Sequence, residues 1–352
     1  MSLPFYLIIF RIKIIEIMKN TKTTIEIKHV DDEAMSIHKR KKGKGFQYFD
    51  EEGNKIIDKL ILSRLRKLII PPMWSDVYIC KWDDGHIQAI GRDAKGRKQY
   101  IYHSVFEKAR QLEKFAKMKD FGKALSKFRK KVVEDIAIKE WSKDKILALI
   151  ILLLDETGIR IGNKQYANQN GTYGLTTLTR KHMSFENNHV VFEYKGKSNQ
   201  MRHVEIDDSQ LAKLIKKSAE LPGFEIFRYK DSEGQFQPVD SEDVNEYIHA
   251  HMGKKFSSKD FRTWVASRLA VELYPFAIEA IATTKKGKFS NTLIRMVAHE
   301  LGNTPVVCRS YYVHPNIMQK IESKSLPNKM YIDSGMSQNK LTASEREVMK
   351  HL

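Results

Sequence analysis

Cysteine is nearly absent: Cys80 and Cys308 are the only two in 352 residues, far apart and with no second cysteine or paired histidine at ligand spacing. That excludes a disulfide framework and gives a zinc site no support, so a reducing interior is expected. A membrane span is also missing. The apolar opening "MSLPFYLIIFRIKIIEI" is interrupted by Arg11, Lys13 and Glu16. The uninterrupted run is about ten residues, too short for a bilayer, and no small-residue cleavage site follows it. Met18 opens "MKNTKTTIEIKHV", an ordinary start, so residues 1–17 are read as a non-essential N-terminal extension. Internal repeats and long low-complexity segments are lacking. So is a glycine-rich nucleotide loop: "KGKS" has Val191 where such a loop needs a glycine five residues before Gly196, and no ATP site is expected. Acidic residues are outnumbered, 43 against 61 Lys and Arg, for a formal net charge of +18. The basic residues recur along most of the chain, which points to a polyanionic partner, most often nucleic acid.

From about Thr24 to Tyr102 the text is short and strand-like ("TTIEIKHV", "GFQYFD", "DVYICKW", "HIQAIG", "KQYIYH"), cut by turn signals at "EEGN", "DDG" and "DAKG". The basic run "HKRKKGKG" (38–45) reads as a loop, solvated or touching phosphate. From about Val105 helical periodicity takes over. The apolar "WSKDKILALIILLLDETG" predicts a buried helix between a cap at Ser142 and a stop at Gly158. "HVVFEYKGKSNQMRHVEI" predicts a hairpin inside that helical region. The expected fold class is α+β: a small β-rich N-terminal domain (18–104), a mainly α-helical domain containing a β-hairpin (105–325) and a C-terminal tail (326–352).

Several groups of the second domain stand at punctuated places. Arg160 in "ETGIRIGN" follows the end of the apolar helix, and Lys197 sits at the hairpin tip, where it could equally be a surface charge. Arg262 in "SSKDFRTW" lies one turn into a helix capped by Ser258, a place that suits phosphate oxygens or an intrahelical acid. In "SNTLIRMVAHELGNTPVVCRSYYVHP" a helix is expected from about Asn291 to Leu301. A second is expected from Pro305, capped by Thr304, to the brake at Pro315. Adjacent helical residues point about 100° apart, so Tyr311 and Tyr312 cannot both face one site.

Together these stretches resemble type IB DNA topoisomerases of the small poxvirus and bacterial kind. The resemblance spans roughly residues 30–320 and rests on six segments in the family's order. They are "IPPMWSDVYIC", "GHIQAIGRDAKGRKQYIYH", "DETGIRIGNKQYANQNGTYGLTTLTRKH", "KGKS", "KDFRTW" and "LGNTPVVCRSYYVHP". It implies a catalytic set of Arg160, Lys197, Arg262, Asn303 and a tyrosine nucleophile nine residues after Asn303, which is Tyr312, with Tyr311 a bystander. Asparagine at 303, where poxvirus enzymes have histidine, resembles the bacterial branch. It can donate a hydrogen bond to a phosphoryl oxygen but cannot act as an acid. The resemblance further implies a two-domain clamp around duplex DNA, with Gln99, Tyr100 and Tyr102 in the major groove, Arg97 and Lys98 on phosphates and Tyr166 as a further DNA contact. The family's basic residue at the place of Asn163 is absent.

The implied activity is supercoil relaxation by a monomer: transient cleavage of one strand through a 3′-phosphotyrosyl ester, rotation and religation. It needs no ATP and no obligatory metal, magnesium serving only to stimulate. An intracellular, DNA-associated location follows, in a bacterial cytoplasm or in the virion or host cell of a large DNA virus. The rival from the same chemistry is a tyrosine recombinase or integrase. Those usually carry a histidine where Lys259 stands and a helical first domain. A non-catalytic basic DNA-binding protein would leave the ordered Arg, Lys, Arg and Tyr spacing as coincidence.

Overall fold

The computed structural model describes residues 9–12, 25–284, 287–331 and 340–352, and the chain divides into two compact units, 1–113 and 114–352. Most of the extension expected at 1–17 lies outside the described residues. Its strand β1 (Ile9–Ile12) pairs antiparallel with β2 (Ile25–Lys28).

The first unit is built on an antiparallel sheet in the order β4–β3–β5–β6–β7. Its strands are β3 (Ile37–Lys42), β4 (Gly45–Phe49), β5 (Ser75–Ile79), β6 (Ile87–Arg92) and β7 (Lys98–Tyr102). The run expected as a loop at 38–45 is thus mainly a strand. Lys39 Nζ lies 3.9 Å from the centre of the Phe46 ring and Arg40 Cζ 4.9 Å from that of Phe49, so rings of β4 meet the charged ends of both side chains, and Lys39 Nζ also donates to Ile70 O at 3.4 Å. A helix that the strand-like text concealed, α1 (Lys59–Lys67), is capped by Asp58, which accepts from Leu60 N at 2.8 Å and Ile61 N at 3.0 Å. Only Leu65 of this helix is buried. The sequence put the boundary after 104, but α2 (Ser104–Ala116) runs through that point and the units part after Glu113.

The second unit is mainly helical. It comprises α3 (Met118–Ile136), α4 (Lys143–Thr157), α5 (Lys164–Asn170), α6 (Ser209–Ala219), α7 (Ser241–Met252) and α8 (Ser258–Glu272). After these come α9 (Tyr274–Thr284), α10 (Phe289–Leu301), α11 (Pro305–Val307), α12 (Pro315–Glu322) and α13 (Ala343–Lys350). A three-stranded antiparallel sheet in the order β10–β9–β8 and a small ribbon β11–β12 interrupt them. The strands are β8 (Met183–Glu186), β9 (His189–Lys195), β10 (Met201–Ile206), β11 (Arg228–Lys230) and β12 (Phe236–Pro238).

Helix α4 is apolar nearly all round because it is the centre of this core, buried from Lys145 to Ile151 without a break. Beside it Phe121 packs edge-on against Phe261 at 5.0 Å and tilted against Trp264 at 5.7 Å. Residues 326–352, set apart by the sequence as a tail, belong to this unit, and the Val348 side chain of α13 is fully buried in its core. Among the described residues no helix is long and apolar enough to cross a membrane.

Candidate active site

Three element ends meet here. Helix α4 starts and stops as its text predicts: Ser142 Oγ accepts from Lys145 N at 3.3 Å, and Gly158 closes the helix in the left-handed conformation at φ 61°. Arg160 follows. Its backbone is held by Leu175 N donating to Arg160 O at 3.0 Å and Thr176 N to Ile161 O at 2.8 Å. Helix α8 supplies Arg262. Its cap is Ser257, one residue before the expected Ser258. Asp260 accepts from Ser257 N at 2.8 Å and pairs with Lys117 at 2.8 Å. The acid in the first turn is therefore taken, and among the described residues Arg262 makes no ion pair.

Helix α10 ends at Gly302, left-handed at φ 59°, and delivers Asn303. Arg262 donates to Gly158 O and, at 3.0 Å, to Leu301 O. Arg160 donates to Gly302 O at 3.2 Å and to Asn303 Oδ1. Two guanidiniums thus meet at the end of α10 with no carboxylate in hydrogen-bond contact among the described residues, and burial together with the charge of Arg262 pulls Arg160 down to about 10. Two buried donors there, Arg262 Nε and Asn303 Nδ2, have no hydrogen-bond partner among the described residues. Each costs about 1–3 kcal/mol while unpaired, so the arrangement favours an anion with several acceptor oxygens.

Tyr312 ends the next segment. The regular helix expected from Pro305 to Pro315 is realised for only one turn, α11; Cys308–Tyr312 then form a π-turn closed by Val313 N donating to Cys308 O at 3.0 Å. Such widened turns are frequent at functional sites. The inward member of the pair is Tyr312, half-buried against the core, whereas Tyr311 is 37% exposed. The Tyr312 ring lies between two cations, 5.2 Å from Arg262 Cζ and 4.8 Å from Lys114 Nζ. Lys114 also donates to Tyr311 O. Burial pulls its ammonium down to about 8, and the nearby Lys117 and Arg262 charges add to that, against the pull of Asp260. Its text, inside "QLEKFAKMKD", reads as an ordinary helix face; only the fold brings it to Tyr312.

Lys197 is not in this cluster. It stands exposed at the tip of the β9–β10 hairpin, where Ser198 and Asn199 are left-handed at φ 63° and 60°. The residues expected on DNA lie on β7, the turn before it and α5. On β7, Tyr100 and Tyr102 share one face, each 43% exposed and stacked at 6.0 Å. Gln99 points to the other face of the strand and donates to Asp93 at 3.0 Å, which also pairs with Arg97 at 2.6 Å. Lys98 pairs with Asp32 at 3.6 Å. Tyr166 is 55% exposed on α5, and Asn163 caps that helix by accepting from Tyr166 N at 3.2 Å.

The segment that carries Tyr312 is anchored just beyond it by His314. His314 N donates to Ser267 Oγ of α8 at 3.0 Å, and its ring caps α12 by accepting from Asn316 N at 3.2 Å. Burial, with Phe115 packed edge-on at 5.3 Å, pulls the imidazole down to about 4. The unfolded chain takes up this proton near 6.5, the folded one only near 4. Stability should therefore be full above 6.5, fall as the pH drops toward 4 and level off below it, by on the order of 3 kcal/mol. Urea midpoints from pH 7 to 4 for the wild type and His314→Asn, which keeps a capping side chain, would show it. If both proteins share one slope, His314 is not the group responsible.

The sequence of the family described as "Eukaryotic DNA topoisomerase I, catalytic core" matches residues 103–338, and that of "Bacterial DNA topoisomerase IB, N-terminal domain" matches residues 45–93. DNA topoisomerase 1B of Acanthamoeba polyphaga mimivirus is 31% identical over 290 residues, covering 79% of this chain and 84% of that protein. DNA topoisomerase 1B of vaccinia virus (strain Copenhagen) is 26% identical over 274 residues, covering 74% and 82%. Among solved structures, the XerH site-specific recombinase bound to difH substrate aligns with 57% of this chain and 51% of its own at 17% identity, with a TM-score of 0.33. With the arginine pair gathered at the end of α10 beside Tyr312 and two thirds of the chain matched, the chain belongs to the type IB DNA topoisomerases.

Proposed function

We propose that Tyr312 cuts one strand of duplex DNA and that Arg160, Arg262 and Asn303 cradle the phosphodiester it attacks. The observation that carries this is the carboxylate-free arginine pair with the two unpartnered donors, Arg262 Nε and Asn303 Nδ2, beside a half-buried tyrosine. A phosphodiester supplies two non-bridging oxygens to such donors, and charge gathers on them as the phenol attacks.

Tyr312 Oη bonds to phosphorus, its proton leaving to water, and the bond from phosphorus to the 5′-oxygen breaks. Lys197 Nζ gives the departing 5′-oxygen its proton. The product is a 3′-phosphotyrosyl ester and a free 5′-hydroxyl. The cut strand turns about the intact one; the hydroxyl then attacks phosphorus and gives its proton to neutral Lys197 as the bond from phosphorus to Tyr312 Oη breaks, and the released phenolate takes a proton back from water. The ester keeps the bond energy, so neither ATP nor an obligatory metal enters the scheme. All five groups come from one chain, which supports a monomer acting on double-stranded DNA wherever the genome lies inside the cell or virion. Gln99, Arg97, Lys98, Tyr100, Tyr102 and Tyr166 are proposed as further DNA contacts.

Plasmids of either supercoil sign, incubated in EDTA without ATP, should both relax, and detergent should trap a tryptic peptide containing Tyr312 on the 3′ end. A requirement for paired specific sites would favour recombination instead.

A further inference from the structure

Three guanidiniums, not two, close the end of α10. The last carbonyls of a helix have no partner within it and mark the negative end of its dipole. Here Leu301 O accepts from Arg262 at 3.0 Å and Gly302 O from Arg160 at 3.2 Å. The two before them, His299 O and Glu300 O, accept from Arg202 at 3.0 and 2.6 Å, His299 O also taking the backbone N–H of Gly302 at 3.0 Å.

Arg202 belongs to β10, five residues after Lys197. It sits directly opposite Tyr194 across the hairpin, on the same face of the strands as that buried side chain. Its stem lies along Gly196, where a Cβ would come within 3.0 Å of Arg202 Cγ, and its guanidinium lies over Gly302, where a Cβ would collide with it. One side chain therefore reaches from the neighbour of Lys197 to the neighbour of Asn303. The tip itself is closed by the bonds from Gly196 N to Gln200 O at 2.8 Å and from Asn199 N to Gly196 O at 3.1 Å, and its side chains are exposed.

We infer that Arg202 is a positioning residue: a strut that ties the Lys197 hairpin to the end of α10 and holds the proton donor in register with the phosphate cradle. Lysine at 202 would keep the charge but has no fork to hold two carbonyls at once. The inference rests on Lys197 acting as the acid, and the test separates the two.

Single-turnover cleavage would be measured on duplexes whose scissile phosphate carries either the natural 5′-oxygen or a 5′-bridging sulfur. The sulfur leaves as a thiolate and needs no proton. Lys197→Ala should be slow on oxygen and restored by sulfur, whereas Arg262→Ala, which strips the non-bridging oxygens, should be slow on both. Arg202→Ala should lose roughly 10- to 100-fold on oxygen, the size of effect a small misplacement of a catalytic group produces, and return to within a few-fold of wild type on sulfur. Arg202→Lys, the milder change, should show a smaller loss with the same rescue and keeps the test open if the alanine variant folds poorly. Equal slowing on both substrates by both Arg202 variants would overturn the strut while leaving Lys197 intact. Failure of sulfur to rescue Lys197→Ala would instead remove the acid reading, and the strut with it.

Discussion

Tyr312→Phe should abolish relaxation and the covalent adduct, a loss of roughly 10⁵-fold or more, as expected when a covalent nucleophile is removed from an intact site. Tyr311→Phe should stay within a few-fold of wild type. The difference comes from the π-turn. Tyr312 is turned inward, its ring between Arg262 and Lys114, and the backbone on either side is fastened by Val313 N to Cys308 O at 3.0 Å and His314 N to Ser267 Oγ at 3.0 Å. Tyr311 serves that arrangement through its carbonyl, which accepts from Lys114. Phenylalanine keeps that carbonyl and the outward ring, 37% exposed. Phenylalanine at 312 keeps the ring and both cation contacts, so the variant should fold and bind DNA while failing to cut it. Gel relaxation, a binding isotherm and detergent trapping on the same preparations would decide the matter. A dead Tyr311→Phe beside an active Tyr312→Phe would mean that the wrong phenol has been assigned.

Where text and structure agree, the signal was local. Ser142 and Gly158 bracket an apolar run, Gly302 ends a helix left-handed, and the turn in "KGKSNQ" joins two alternating strands, each recognisable without knowing what lies across the fold. The departures come from partners distant in sequence. "HKRKK" reads as a loop until Phe46 and Phe49 of the next strand meet the charged ends of Lys39 and Arg40. Ser257 and Ser258 are equivalent as text, and the choice between them is made by which one Asp260 can reach. The π-turn inserts one residue into what periodicity extends as a regular helix, so facing could not be read from a 100° step. Gln99 and Tyr100 are neighbours in one motif, yet a strand sends them to opposite faces. Lys114 and Arg202 belong to the site by contacts 197 and 97 or 98 residues away along the chain, and nothing local marks them. The family resemblance supplied the site set, and the structure joins four of its five members while leaving Lys197 at an exposed tip.

Glu345→Ala should destabilise the protein by about 3–5 kcal/mol, the usual consequence of removing one member of a buried ion pair and leaving the other uncompensated. In a unit of this size that corresponds to a melting temperature lower by roughly 6–20 °C. Glu345 is fully buried on α13, in the segment that the sequence set aside as a tail. Its carboxylate accepts from Arg129 at 2.7 and 2.8 Å and from Trp264 Nε1 at 2.8 Å, while Asp155 takes the rest of the Arg129 fork at 2.6 and 3.0 Å. Burial opposes the charge on Glu345, but the bonds from Arg129 outweigh it and hold the carboxyl down at about 2. With the folded value below the ordinary 4.5, this contribution is present above pH 4.5 and is lost as the pH falls toward 2. The cluster lies directly behind the site: Asp155 is on the helix that delivers Arg160, and Trp264 follows Arg262 by two residues on α8. Loss of Glu345 should therefore lower relaxation at 37 °C more than at 20 °C, through melting and not through the chemical step. Glu345→Gln, which keeps an acceptor for Trp264 but not the charge, should fall between wild type and alanine. A melting temperature for Glu345→Ala within 2 °C of wild type, about what an inconsequential surface change gives, would show that α13 is dispensable and that the cluster carries no net stability.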